Sequence, residues 1–86
     1  MSNNLYEISQ FFSPALCRAG RGLLGWSQTE LAEKAHVGRS TVADFERGTR
    51  TPVHNNLVAL AQAMIDAGIE FFPENGGGAG VRFQRT

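Results

Sequence analysis

The sequence predicts a mainly α-helical domain of four or five helices closed by a C-terminal β-hairpin, and three observations predict it. Serine stands as a cap before Pro14 and again before Gln28, each time opening a run of helix-compatible residues. Leu57, Leu60, Ala61 and Met64 recur at the i, i+3, i+4, i+7 spacing that places them on one helical face. After Gly68 the period drops to two: Ile69 and Phe71 alternate with Glu70 and Phe72, and beyond PENGGGAG the residues Val81 and Phe83 alternate with Arg82 and Gln84.

Each element has its own local cause. The opening MSNNLYEISQFF is polar with scattered aromatics, so residues 1–12 read as an arm or a short helix. Ser13-Pro14 starts a helix that runs to about Leu24, because proline at the first helical position lacks only an N–H that would be orphaned anyway. Gly20 and Gly22 each weaken this helix by roughly 1 kcal/mol relative to alanine, so it needs tertiary support. Ser27 and Glu30 form a capping box for a short helix from Gln28 to Ala35, with Trp26 and Leu31 as its hydrophobic staple. His36-Val37-Gly38 interrupts the pattern. A third helix then starts from Gly38 as N-cap, stapled by Val37 and Val42, and ends at Gly48. Thr49 to Pro52 is a loop, and the next helix begins between Thr51 and Asn56 and is closed by Gly68, with Ile69 reaching back to Met64 in a Schellman-type end.

Size and composition bound the function. At 86 residues, 42% hydrophobic and 19% charged, the chain is too short for a two-domain enzyme with an interdomain cleft and too apolar for a disordered segment. No apolar run approaches the roughly 20 residues of a membrane span, and no signal-peptide pattern opens the chain, so the expected location is the cytoplasm. A single cysteine, Cys17, excludes an intramolecular disulfide, and without a Cys/His cluster no metal or other cofactor is expected. Eight basic and eight acidic residues cancel. Their distribution does not. Between Ser13 and Pro52, Arg18, Arg21, Lys34, Arg39, Arg47 and Arg50 outnumber Glu30, Glu33, Asp44 and Glu46, so that segment is mildly basic.

Two short helices joined by a tight turn, the second opening with small polar and basic residues, are the arrangement that lays a recognition helix in the DNA major groove. The stretch WSQTELAEKAHVGRSTVADFERGTRTP resembles the helix-turn-helix of the XRE, or phage-repressor-like, family. Ser-Gln opens its first helix, Leu31-Ala32 follows, and Phe45-Glu46-x-Gly48 ends its second. The resemblance covers about Ser13 to Gly68 and implies a lambda repressor-like helical domain over residues 13–68, with residues 69–86 as a hairpin appended to it. Similar tails, of the type GIEFFPENGGGAGVRF, close a subset of bacterial proteins of this type.

The resemblance implies roles for particular residues. Arg39, Ser40 and Asp44 would face the groove: arginine can bond the O6/N7 edge of guanine bidentately, and aspartate can accept from cytosine N4 or orient Arg39. Gln28, which would also touch the start of the recognition helix, Thr41, Arg50 and Asn55 would meet phosphates, which fix register without carrying sequence. Arg21 and Glu46 would form a structural bridge. Arg18 and Arg47 read as surface charges near phosphate, and Cys17 as a small buried apolar residue. The bland alternative for Arg39 and Asp44 is a solvated helix face. His36 departs from the family pattern, which usually has glycine there, suited to positive φ; Gly38 likewise stands where serine is usual.

Other chemistry fits poorly. The glycines from Gly76 to Gly80 lie between two strands instead of opening a helix, and there is no Gly-Lys-Ser/Thr, so a phosphate loop is the wrong reading. Neither His36 nor His54 pairs with a nucleophile in a cleft, and an enzyme is not expected. The function so implied is a DNA-binding regulator acting as a homodimer on a palindromic operator. The apolar tail residues Ile69, Phe71, Phe72, Val81 and Phe83 would make the dimer, the alternative being the Val58 and Ile65 side of the preceding helix. A second class of function is an antitoxin-like module whose tail binds a partner protein.

Overall fold

The computed structural model describes residues 4–85 and contains five helices followed by one hairpin. The helices are α1 (Leu5–Phe11), α2 (Pro14–Leu24), α3 (Gln28–Ala35), α4 (Arg39–Arg47) and α5 (His54–Asp66), and the strands are β1 (Ile69–Phe72) and β2 (Gly80–Phe83). No described helix is long and apolar enough to cross a membrane.

The caps account for the boundaries. The Ser13 hydroxyl accepts from the Leu16 N–H, and Ser27 and Glu30 satisfy each other's backbone donors as a complete capping box. Gly25 and Gly48 end α2 and α4 in the left-handed conformation that glycine adopts without a Cβ clash. The turn between α3 and α4 is made by His36 at φ 57°, the sole non-glycine residue with positive φ among those described. That conformation costs a β-carbon-bearing residue of the order of 1 kcal/mol, so the turn geometry of α3 and α4 is held from outside the turn.

At the ends of the domain one sequence expectation is narrowed to the short helix it allowed and one changes. Asn4 caps α1 through its side chain, and Leu5, Ile8 and Phe12 fall at helical spacing, so the segment before Ser13 is a helix that packs on α5. Residues 1–3 lie outside the described part. At the other end, α5 stops at Asp66, one turn closed by bonds from the Ala67 and Gly68 N–H groups to Met64 and Ile65 carbonyls, in place of a Schellman end. Gly68, at φ 106°, then redirects the chain into β1.

One core joins all of this. Ile8, Phe12, Leu16, Cys17, Leu31, Ala32, Ala35, Val42, Phe45, Leu60, Ala61, Met64, Ile69 and Phe71 are buried together. Phe12 is a pivot, stacking on Phe45 at 5.7 Å between ring centroids and meeting Phe71 edge-on at 5.2 Å. β1 and β2 pair antiparallel with Ile69 opposite Phe83, Glu70 opposite Arg82, Phe71 opposite Val81 and Phe72 opposite Gly80. β1 lies over α5 and β2 over α2.

The two glycines of α2 have different reasons. A β-carbon on Gly20 would sit 2.6 Å from the Met64 sulfur, in front of the Phe71 ring, so this glycine admits α5 and β1 to the helix. Around Gly22 there is nothing within 4 Å. Gly22→Ala is therefore expected to stabilise the protein by about 0.5–1 kcal/mol through helix propensity alone. Gly20→Ala, where overpacking of about 1–3 kcal/mol opposes the same gain, should destabilise it. Urea unfolding of the two variants checks the difference in sign.

Candidate nucleic-acid interface

The carboxylate of Glu46, on the last turn of α4, ties three helices together. It is only 5% exposed. From α2, Arg21 grips it with a two-pronged fork, Nε to Oε2 at 2.7 Å and Nη2 to Oε1 at 2.6 Å, and the Cys17 thiol donates to Oε2 at 3.1 Å. From α3, the Gln28 amide donates to Oε1 at 3.1 Å. The remaining arm of Arg21 donates to the Trp26 carbonyl at 2.9 Å, and Arg18 donates to the backbone carbonyl of Glu46 itself, where a cation complements the negative end of α4. Burial by itself would push the Glu46 carboxyl up. Hydrogen bonds from Arg21, Gln28 and Cys17, with the charge of Arg21, outweigh burial and hold it below the ordinary carboxylate value. The same contact raises Arg21, and burial followed by the Glu46 hydrogen bond pushes the Cys17 thiol well up.

With Val42, Phe45 and Glu46 turned inward, the opposite face of α4 is set by helical spacing. Ser40, Asp44 and Arg47 lie on it, and Arg39 and Ala43 form the adjoining row toward Glu46. Arg39, Ser40 and Arg47 are exposed, while Thr41, Ala43 and Asp44 are half-buried. Asp44 is bonded to Arg47 along the helix, and no ion pair among the described residues engages Arg39 or Arg50. Gly38 provides no side-chain cap, so the first N–H groups of α4 remain open beside Arg39 and Ser40. Arg50, in the loop after Gly48, and Asn55, in the first turn of α5, are both exposed.

A family model described as helix-turn-helix matches residues 18–64, more than half of the chain. The chain belongs to the XRE-type helix-turn-helix family. No curated protein matches the sequence. At the level of this family the protein is a DNA-binding transcription regulator, and the family is regulatory, not enzymatic. The matched span begins at Arg18 and ends at Met64, so it takes in the C-terminal part of α2, the helix-turn-helix pair α3 and α4, and most of α5, and it leaves out α1 and the hairpin.

Several residue assignments shift on this frame. Gln28 is expected at a phosphate and the start of the recognition helix; in the structure its amide donates to Glu46, on the last turn of α4 and not its first. Asp44 is paired with Arg47 and not with Arg39, since i and i+3 positions are neighbours on a helix face. Ile69 and Phe71, expected in a dimer interface, are 0% and 4% exposed in the core of this same chain. Phe72 and Val81 are half-buried and Phe83 is exposed. Trp26 is half-buried against the core with the Lys34 ammonium 5.4 Å above its ring. The hydrogen-bonding part of Cys17 escaped the sequence reading, although its i, i+4 spacing from Arg21 already put both on one face of α2.

Because the folded Glu46 carboxyl is depressed below its ordinary value of 4.5, its contribution to stability is present above that pH and is lost as pH falls through the lower folded value. Glu46→Gln should cost about 2–4 kcal/mol at neutral pH, less than for a fully enclosed pair because Arg21 keeps some access to water. The gap between wild type and variant should narrow steadily below about pH 4.5. Urea midpoints measured at pH 7, 5, 4 and 3 would give a constant gap if the carboxylate were unimportant.

Proposed function

We propose that the protein is a cytoplasmic, sequence-specific transcription regulator that binds a palindromic operator as a homodimer. The observation that carries this reading is the partition of charge around α4. Its two acids are removed from the surface field, Glu46 by burial under Arg21 and Asp44 by pairing with Arg47, while Arg39 and Arg50 stay exposed and without an ion-pair partner among the described residues. A chain of zero formal charge thereby presents a locally cationic face where a nucleic acid would meet the recognition helix.

In this reading Arg39 and Ser40 reach base edges from the open N-terminal turn of α4, and Asp44 acts by holding Arg47 along the groove-facing side. Thr41, Arg50 and Asn55 bracket that turn and engage phosphates, with Arg47 close enough to join them.

Two outcomes follow. Arg39→Ala is expected to relax preference at one base position, by about 1–3 kcal/mol of discrimination, whereas Arg50→Ala should weaken all sequences about equally. Binding-site selection from a random library tests this: an unchanged preferred sequence for Arg39→Ala removes it from base readout. Roughly three phosphates per subunit, about six per dimer, give a slope of log K against log salt of about −5. A slope flatter than about −2 in a titration would be incompatible with dimeric operator binding.

A further inference from the structure

We infer that the homodimer is made by the free edge of β2, paired antiparallel with β2 of a second copy about a two-fold axis that passes through Arg82. The inference rests on the homodimer reading above and specifies its interface. The two-stranded sheet leaves one edge of β2 unoccupied, and no backbone hydrogen bond to residues 80–83 from outside the hairpin occurs among the described residues. β2 is also the one element that contributes no buried side chain to the core. Its partner strand buries Ile69 and Phe71, whereas Phe83, directly opposite the wholly buried Ile69, is 54% exposed. The inner face of the sheet is thus covered by the helices under β1 and left incomplete under β2.

The short strand is self-complementary in one register. With Arg82 opposite its own symmetry mate, all of residues 80–84 find partners, and each Val81 stands opposite the second copy's Phe83 on the inner face. The row Phe71–Val81 then continues into the neighbouring chain, and Phe83 gains an apolar neighbour on its free side. Sliding the register by two residues in either direction shortens the overlap and breaks both Val81–Phe83 pairs.

Arginine on an edge strand ordinarily blocks such pairing. Here Arg82 is drawn away from the edge. Its guanidinium bonds both oxygens of Glu70, at 3.2 and 3.3 Å, and lies 4.7 Å from the centre of the Phe72 ring, and both of those residues belong to β1. The Phe72 ring in turn covers Gly80, so the outer face of the hairpin is locked toward β1 and the β2 edge is left clear of protruding charge.

The test uses the full chain in two variants. Arg82→Cys should be joined to its mate in high yield by a short thiol cross-linker, because only a residue on the axis lies next to itself; Tyr6→Cys, exposed on α1, serves as the comparison and should remain uncross-linked. Cys17, wholly buried, does not compete. Phe83→Glu, at an exposed position that the monomer core does not use, should weaken dimerisation in sedimentation equilibrium by about 100-fold with an unchanged circular dichroism spectrum. A wild-type dimer whose Arg82→Cys form does not cross-link, or whose affinity Phe83→Glu leaves unchanged, overturns this interface while the homodimer stands. A wild type that is monomeric from micromolar to millimolar concentration overturns both.

Discussion

Everything that orients the recognition helix passes through one buried carboxylate. Removing Glu46 from water is unfavourable, and the arrangement persists because Arg21, Gln28 and Cys17 replace the lost hydration with hydrogen bonds that favour the charged form. A buried ion pair is weak evidence for net stability, since a well-packed apolar substitute often serves as well. Its distinguishing property is direction. An arginine fork accepts a carboxylate in one plane, so α4 cannot rotate about its own axis against α2 without breaking two bonds at once. The apolar contacts of Val42 and Phe45 supply attraction, and the fork supplies the angle at which Arg39 and Ser40 leave the surface.

That constraint also explains how a turn of unfavourable conformation is tolerated. His36 occupies the left-handed region between α3 and α4, where glycine would rest without strain. Both helices are fastened independently of the turn: Gln28 at one end of α3 reaches Glu46, and Leu31, Ala32 and Ala35 are buried against the rest of the core. The turn conforms to helices already placed, and a cost of about 1 kcal/mol is small against the contacts that place them.

Much of this was legible in residue order because the signals were local. Ser13-Pro14, the Ser27–Glu30 box and Gly48 act within one turn of chain, and the helix limits they imply coincide with α2, α3 and α4. Signals that depend on tertiary neighbours were not legible. Seven residues of α1 are too few to display a period, yet Ile8 and Phe12 are core residues because α5 and Phe45 lie next to them. The alternation of Ile69 and Phe71 identified a strand and its apolar face, but the choice between this chain's helices and a second chain as the covering surface depends on where β1 runs after Gly68. Among the interface residues, the exposure of Arg39 and Arg50 followed from helix and loop placement, whereas the capture of Asp44 by Arg47 was one of several pairings that the spacing allowed.

The small size of the chain determines how its tail is divided. A domain of this size with a single cysteine buries a limited fraction of its surface, so it draws core side chains from every element that can reach the centre. β1 is within reach of the space between α2 and α5, and its inner residues close that space, with Phe71 against the position of Gly20. β2 stands one strand farther out. Its inner row therefore rests mainly on α2 and ends in an exposed phenylalanine. The two strands share a sheet but not a role: β1 gives Ile69 and Phe71 to the core beside α2, while β2 gives it no buried side chain and carries the exposed Phe83. Substitutions in β1 consequently act on stability first, and any effect they have on assembly is inherited from the folded state, so the residues that report on assembly alone are those of the outer strand.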